Sequence, residues 1–345
     1  MSELTHTRNR DVRWHLLAGA SVLALTAGLA TVPAAQADED NHFYFEVGGS
    51  YGAQAGGSTA WFLPFAAPGA PVGGGEGGES GEAGMGRIHS PTGPDGAALP
   101  IHAGPSWDFT SALKVQPADS DLIFSLGIKF GRNERRSAFA SFTQTTPYSY
   151  TKLYEGAATH RESHLNIDFQ VGKDFGLGMF GHEGTSVFSA GLRYAHFTAR
   201  TNTGFYTSTK YFAGGGSTLA KRSFVGIGPM ISWEASTPLS DTGDGIFTLD
   251  WGVNAAVLFG RQKASGVLLY DDGYALGTSR DRTVTVPEVG GSVGFSYHPA
   301  DSGLRIAFGY RVDAAFGVLD AGIYQNWQVD RVQHGPYLKI GIQAN

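Results

Sequence analysis

The chain has 345 residues, a formal charge of −6 and no cysteine. Its 50 glycines are about twice an ordinary share, charged residues are 16% where about a quarter is usual, and aromatics reach 12%. No cysteine means no disulfide, thiolate metal centre, cysteine nucleophile or lipid-modified N-terminal cysteine. The mild acidity argues against nucleic acid, and the aromatic content against a disordered chain.

At the N-terminus Arg8, Arg10 and Arg13 precede an apolar stretch from Leu16 to about Ala30. Pro33 and the small-x-small triplet Ala35-Gln36-Ala37 follow, then Asp38-Glu39-Asp40. This is the layout of a cleaved export signal over residues 1–37. A membrane anchor is the alternative, but the apolar core falls short of the roughly 20 residues a spanning helix needs and is interrupted by Gly19, Thr26 and Gly28. Residues 38–345 then form one exported domain. No later stretch resembles a spanning helix, so membrane residence would have to be as a barrel.

From His42 onward the pattern is alternation. Phe43, Phe45, Val47, Gly49 and Tyr51 form one parity against His42, Tyr44, Glu46, Gly48 and Ser50. A period of two marks a strand with two different faces. The pattern recurs and predicts ten strands, near 43–52, 106–116, 121–131, 164–174, 186–198, 223–235, 246–260, 284–297, 303–314 and 336–344. Such lengths suit a tilted membrane strand of about nine to eleven residues. Short connectors alternate with long ones at 53–105, 132–163, 199–222, 261–283 and 315–335. The reading is an all-β, antiparallel transmembrane barrel with short periplasmic turns and long extracellular loops. Ser137–Gln144 with Tyr148–Tyr154 is read as an extracellular hairpin or as two further strands, which would make twelve. Around Pro287 the apolar parity switches, and a β-bulge there is the expected repair.

The stretch 53–105 is read as a flexible first extracellular loop. From Gly52 to Pro105 it holds 15 of the 50 glycines and 7 of the 15 prolines. It lacks the strand before and helix after that a glycine-rich phosphate cradle needs. Trp61-Phe62-Leu63-Pro64-Phe65 is an apolar patch within it.

The apolar parity is read as free of charge along all ten strands. The opposite parity carries Glu46, Asp108, Lys114, Lys129, Asp168, Arg193, Glu234, Asp250, Glu288, Arg305, Arg311, Asp313 and Lys339, the candidate lumen-lining residues. Their near balance predicts pairing across neighbouring strands, strongest among the last three, and weak ion selectivity if the barrel conducts. Inward glycines (Gly48, Gly127, Gly191, Gly226, Gly228, Gly252, Gly290, Gly294, Gly309) are expected to widen the lumen. Trp107, Phe130, Tyr194, Trp233, Phe259, Tyr297 and Tyr310 lie where interfacial girdles would.

Three motifs, Ser189-Ala190-Gly191-Leu192-Arg193-Tyr194-Ala195, Phe224-Val225-Gly226-Ile227-Gly228-Pro229 and Gly335-Pro336-Tyr337-Leu338, resemble the Legionella-type major outer membrane protein family. Trp107-Asp108-Phe109 and Asp168-Phe169-Gln170-Val171-Gly172 add to the resemblance, which spans roughly 106–343. It implies a pore-forming outer-membrane barrel, inserted by the barrel-assembly machinery and surrounded by outer-membrane lipid. Such barrels usually end on an aromatic; this chain ends Gln343-Ala344-Asn345, although Leu338, Ile340 and Ile342 keep the alternation.

The functional expectation is a porin-like passage for small hydrophilic solutes. The alternative is a closed structural or adhesive surface barrel. A remote third is an outer-membrane lipid hydrolase built on His196-Phe197-Thr198, against which an interfacial histidine is preferred. No catalytic residue, cofactor or metal site is assigned. His102, His160, His164, His182, His298 and His334 are isolated in sequence, and Asp271-Asp272 and Asp241/Asp244 read as solvated loop carboxylates.

Overall fold

The protein is described by a computed structural model over residues 42–56, 104–118, 120–145, 151–176, 184–208, 213–270, 273, 275–300, 302–320 and 328–344. The expected signal segment, Trp61–Phe65 and the Asp271-Asp272 pair lie outside these residues.

Among the described residues eleven strands make up the fold: β1 His42–Ala55, β2 Ser106–Gln116, β3 Leu122–Asn133, β4 Arg136–Thr145, β5 Thr151–Asp174, β6 Thr185–Ser208, β7 Ala213–Asp241, β8 Gly245–Tyr270, β9 Ala275–Pro299, β10 Leu304–Asp320 and β11 Gln328–Ala344. All neighbours pair antiparallel. β1 pairs with β11, and β3 pairs with β5 from Leu122↔Lys173 to Arg132↔Ser163, so the sheet closes on itself. β4 pairs with β5 alone, from Arg136↔His160 to Thr145↔Thr151, prolonging the edge that β3 leaves. β4 and the first part of β5 therefore pair as a two-stranded arm above the barrel, and the barrel has ten strands, not twelve.

Alternation placed the strand bases well, and β2 matches its expected bounds. Three of the five expected long connections are largely strand. Much of 132–163, 199–222 and 261–283 is ladder, carrying β5 to β9 to between 24 and 29 residues. Outside, these extensions mix polar and charged residues such as Arg200, Asn202, Lys221, Arg261 and Lys263 with Leu219, Val267 and Leu269, so they lack the unbroken apolar parity by which the lower strands are recognised. The short connections between β2 and β3, β5 and β6, β7 and β8, and β9 and β10 share one end with His42 at the start of β1 and Ala344 at the end of β11. This is the turn end; the opposite end is the hairpin end.

The outward parity carries the exposed large apolar residues, among them Phe169, Leu192, Ile227, Phe259, Val293, Phe308 and Leu338. They form a belt around the barrel, edged by Trp233 and Trp251 in edge-to-face contact near the turn end and by Trp107 and Phe130 near the hairpin end. Lys173 is an exception to the charge-free parity. It faces outward at the turn end of β5 and is neutralised by Asp121 at 2.7 Å.

No bulge forms at Pro287. The β8–β9 ladder runs through it unshifted, Val257↔Pro287 and Leu258↔Val286. Pro287 instead sits one residue past the last β9–β10 pair, Ala315↔Glu288, where its missing N–H costs no ladder bond on that side. The apparent switch of parity arises because Val284 and Val286 point inward, into an apolar cluster with Phe224, Leu258, Val318 and Leu319. The register break lies in β10, between Ala315 and Leu319. Gly317 there has φ +66° and donates its N–H to Asp330, and the end of β10 turns inward against β6, β7 and β8.

Candidate functional site: the filled lumen

The thirteen charges assigned to the inward parity all take partners inside the barrel, in layers along its axis. At the turn end Lys114 meets Glu234 at 2.5 Å, Lys339 meets Glu46 at 2.9 Å, and Arg305 meets Asp250 at 2.7 Å. Tyr44 joins them, donating to Glu46 and accepting from Arg305. The middle layer centres on two cations. Arg193 takes Asp168 through two bonds of 2.7 Å, and also Glu288 and Asn254. Lys129 takes Asp313 at 2.7 Å and Asp108 at 3.4 Å; Arg311 takes the same Asp313.

Pairs across neighbouring strands do form, in Arg193–Asp168, Lys339–Glu46 and Lys129–Asp108, but they are not concentrated at the last three strands, and further pairs cross the lumen. Lys114 and Glu234 stand on β2 and β7, and Lys129 and Asp313 on β3 and β10, each pair four strands apart around a ring of ten. Alternation assigns a face but not a partner, because opposite walls meet only once the sheet has closed.

A third layer went unrecognised in sequence because it falls where loops were expected. Glu162 on β5 takes Arg331 on β11 through two bonds of 2.6 Å, again four strands apart, with Gln54 donating to the same carboxylate. His160 lies between Glu162 at 2.8 Å and Thr201 at 2.9 Å. This has the connectivity of a hydroxyl–imidazole–carboxylate relay. Thr201 is fully buried, however, and Glu162 is engaged by Arg331, so the trio belongs to the packing of the lumen. Burial opposes ionisation of Glu162, but Arg331 and His160 outweigh it and hold the carboxyl well below its usual range. Burial pushes the neighbouring Arg222 guanidinium down to about 10. The signal for this layer was continuity of parity, since Ala158, His160, Glu162, His164, Asn166 and Asp168 run as one series.

Gly127 and Gly252 leave space on the lumen side, but most of the inward glycines do not open the bore. Several are recesses that receive a neighbour's ring. A Cβ on Gly226 would stand 2.4 Å from the Phe224 ring, on Gly294 2.5 Å from the Tyr337 hydroxyl, and on Gly341 2.4 Å from the Tyr44 hydroxyl. Between the middle and upper layers a cavity of about 40 Å³ remains, lined by Lys129, His164, Asn166, Arg193, Glu288 and Asp313 among others. Asn166 Oδ1 and Glu288 Oε1 are buried there with no hydrogen bond among the described residues. A polar space of that size suits about one or two waters.

On the outside of β6, His196 and Thr198 face the same way, and the Thr198 hydroxyl shares a 2.7 Å hydrogen bond with Ser163. In the β7–β8 turn Asp241 accepts from the Gly243 N–H. Among the described residues no group of three or more His, Asp or Glu is placed to hold a metal ion.

No family model and no curated protein matches the chain. Among solved structures it is similar to the transport unit of the autotransporter AIDA-I from Escherichia coli, at 10% identity over 94% of this chain and 96% of that one, TM-score 0.21. It is also similar to a monoaromatic hydrocarbon channel mutant of TodX, at 10% identity over 92% and 94%, TM-score 0.20. A third is the P. putida toluene transporter TodX, at 9% identity over 91% and 92%, TM-score 0.19. Scores this low leave the architecture to be read from the strand ladder, and the ladder is a closed ten-strand antiparallel barrel.

Proposed function

We propose that the protein is a β-barrel of the bacterial outer membrane whose lumen is held closed by side chains, and that it serves as a structural surface barrel. The membrane reading rests on the apolar belt around a closed sheet, with charge-bearing extensions beyond it and short turns at the other end. The export pattern in residues 1–37 supports it. Insertion by the barrel-assembly machinery follows from the same reading.

The observation that carries closure is the set of ion pairs spanning four strand positions, Lys114–Glu234, Lys129–Asp313 and Glu162–Arg331, at three levels. A barrel of about eight strands is filled by side chains and one of 16–18 is open. Ten strands leave a bore that these long charged side chains bridge.

Porin-like passage of small hydrophilic solutes, implied by the resemblance to Legionella-type major outer membrane proteins, is the second reading. It is favoured by the turn-end layer, where the closing pair Lys114–Glu234 is exposed. Planar-bilayer recording of the purified full chain separates the two. Closure predicts a silent membrane; discrete conductance steps in wild-type protein would establish the pore.

A further inference from the structure

Towards the hairpin end, the last row in which β9, β10, β11 and β1 all pair is Val289–Ala314–Val332–Ala55. Above it both flanking strands let go. β1 ends at Ala55, and the β9–β10 ladder stops at Ala315↔Glu288 while β9 runs on beside β8. β10 and β11 stay paired with each other through Leu319↔Val329 and Asp320↔Gln328. Their ends thus form a two-stranded ribbon that, among the described residues, no ladder joins to the wall above that row.

The ribbon leans inward across the lumen and is held down by side chains. Gly317, at φ +66°, marks the bend, and its N–H bonds Asp330 within the ribbon. Val318, Leu319 and Val329 sit in the interior apolar cluster with Phe224, Leu258 and Val286. Gln262 of β8 donates to the Gly317 carbonyl at 2.5 Å, and its own oxygen accepts from Arg282. Asp320 takes both Arg280 and Arg282 of β9, the strand the ribbon has left. Arg331 reaches Glu162 on β5. The polar cavity adjoins the ribbon, with Ala315 and Arg331 among its lining residues and the bare acceptors Asn166 Oδ1 and Glu288 Oε1 buried there.

A segment laddered on both sides opens only with the barrel, whereas one held by a few side-chain contacts opens locally at lower cost. A few residues at the end of an element, absorbing a backbone change, are the usual pivots of such motions. A ribbon with unladdered flanks, a glycine at its bend and a polar latch on its inner face has that construction. We infer that the β10–β11 ribbon, residues 315–320 with 328–331, is a flap that pivots at the Val289–Ala314–Val332–Ala55 row, is latched by Asp320 on Arg280 and Arg282, and controls access from the hairpin end to the polar cavity. The inference rests on the closed-lumen reading above, since a flap matters only over a bore shut below it. Raising the ribbon draws Arg331 away from Glu162, so the latch and the upper ion pair open together.

The chain has no cysteine, so single cysteines report access cleanly. Gln333→Cys places a thiol in the cavity wall, and Ser296→Cys places one in the buried turn-end layer. Each full-length barrel is refolded in detergent and treated with a charged methanethiosulfonate reagent. Gln333→Cys should react slowly in the folded barrel and roughly tenfold faster once Asp320→Asn weakens the latch, as the loss of a charge-assisted contact allows. Ser296→Cys should react at the same rate with and without Asp320→Asn. Hydrogen exchange should show the amides of 316–320 and 328–331 speeding up together in that variant, with those of β7 unmoved. If Gln333→Cys reacts from the start at the rate of unfolded protein, nothing covers the cavity and the inference fails. If Asp320→Asn leaves the rate unchanged, the ribbon is a fixed part of the fold and the flap is overturned. If both reporters speed up, Asp320 stabilises the whole lumen, which also overturns it. Should Asp320→Asn not give a heat-modifiable barrel, Gln262→Met, which removes the amide gripping the Gly317 carbonyl, is read in its place, with a severalfold rise expected. Conductance steps from wild-type protein in a planar bilayer would overturn the closed lumen instead, and the labelling rates would still decide the flap.

Discussion

Arg193 shows how much one lumen side chain carries. It is buried between Asp168 and Glu288, and its removal leaves two carboxylates without their cation. Breaking a buried pair by deleting one partner costs about 3–5 kcal/mol. Arg193→Met should lower the temperature at which the barrel unfolds in SDS, and adding Glu288→Gln should restore part of the loss; no change in the single variant would show that the middle layer does not hold the walls together. Glu162 makes a pH-dependent contribution. Its folded-state pKa is depressed, so the stability it adds is complete above its unfolded value of about 4.3 and declines as pH falls below that. The stability gap between wild type and Glu162→Gln, measured by thermal unfolding, should be wide at pH 7 and narrower at pH 3. Gly309 has a different role. A Cβ there would lie 2.3 Å from the Val293 carbonyl oxygen and 2.6 Å from the Gly294 Cα, backbone atoms that cannot give way as a side chain can. Gly309→Val should therefore destabilise by about 1–3 kcal/mol as an overpacked site, read in the same unfolding assay.

At the scale of elements, the strands are long because the ladder continues past the belt. β6 and β7 stay paired from Thr185↔Ser236 to Ser208↔Ala213. Belt and extension have separate support. The lower half is held by the apolar belt and the turn-end and middle ion pairs, the upper half by its hairpin bonds, the Glu162–Arg331 layer and the interior apolar cluster. Excising Thr203–Thr218 and joining Asn202 to Leu219 through an Asn-Gly turn should leave a folded, SDS-resistant barrel, since shortening a connection changes closure entropy only slowly. Loss of heat-modifiable migration in that variant would mean the extension is needed for closure. β9 and β10 part company above Glu288 and Ala315 for reasons local to their sequences. Pro287 cannot donate to a further pair, and Gly317 lets β10 bend inward so that Val318 and Leu319 join the apolar cluster.

For the molecule as a whole, closure satisfies the backbone of every strand in the ring, the condition for a sheet to reside in hydrocarbon. Such a barrel should be recovered from outer-membrane fractions with a β-type circular dichroism spectrum and should resist SDS until heated. Recovery from the soluble periplasm would remove the membrane reading. The fill of the bore follows from circumference. In a ring of ten strands an arginine or lysine on one wall reaches a carboxylate four strands away, as Lys129 reaches Asp313.

The sequence by itself determined the architecture. A period of two, an apolar parity, charges confined to the other parity and short turns alternating with long connections follow from the pleat and the chemistry of each face, which are local properties. Ten strands and the inward direction of charges such as Glu46, Asp250 and Lys339 were legible for that reason. Only the tertiary structure decided which charges meet, because partners such as Glu162 and Arg331 are 169 residues apart and their contact exists only after β11 closes on β1 and β3 on β5. It also decided that glycines such as Gly226 and Gly294 are recesses for aromatic rings, and that Val284 and Val286 belong to an interior cluster. Each depends on register between strands, and register is set by the whole closed ladder rather than by any one segment.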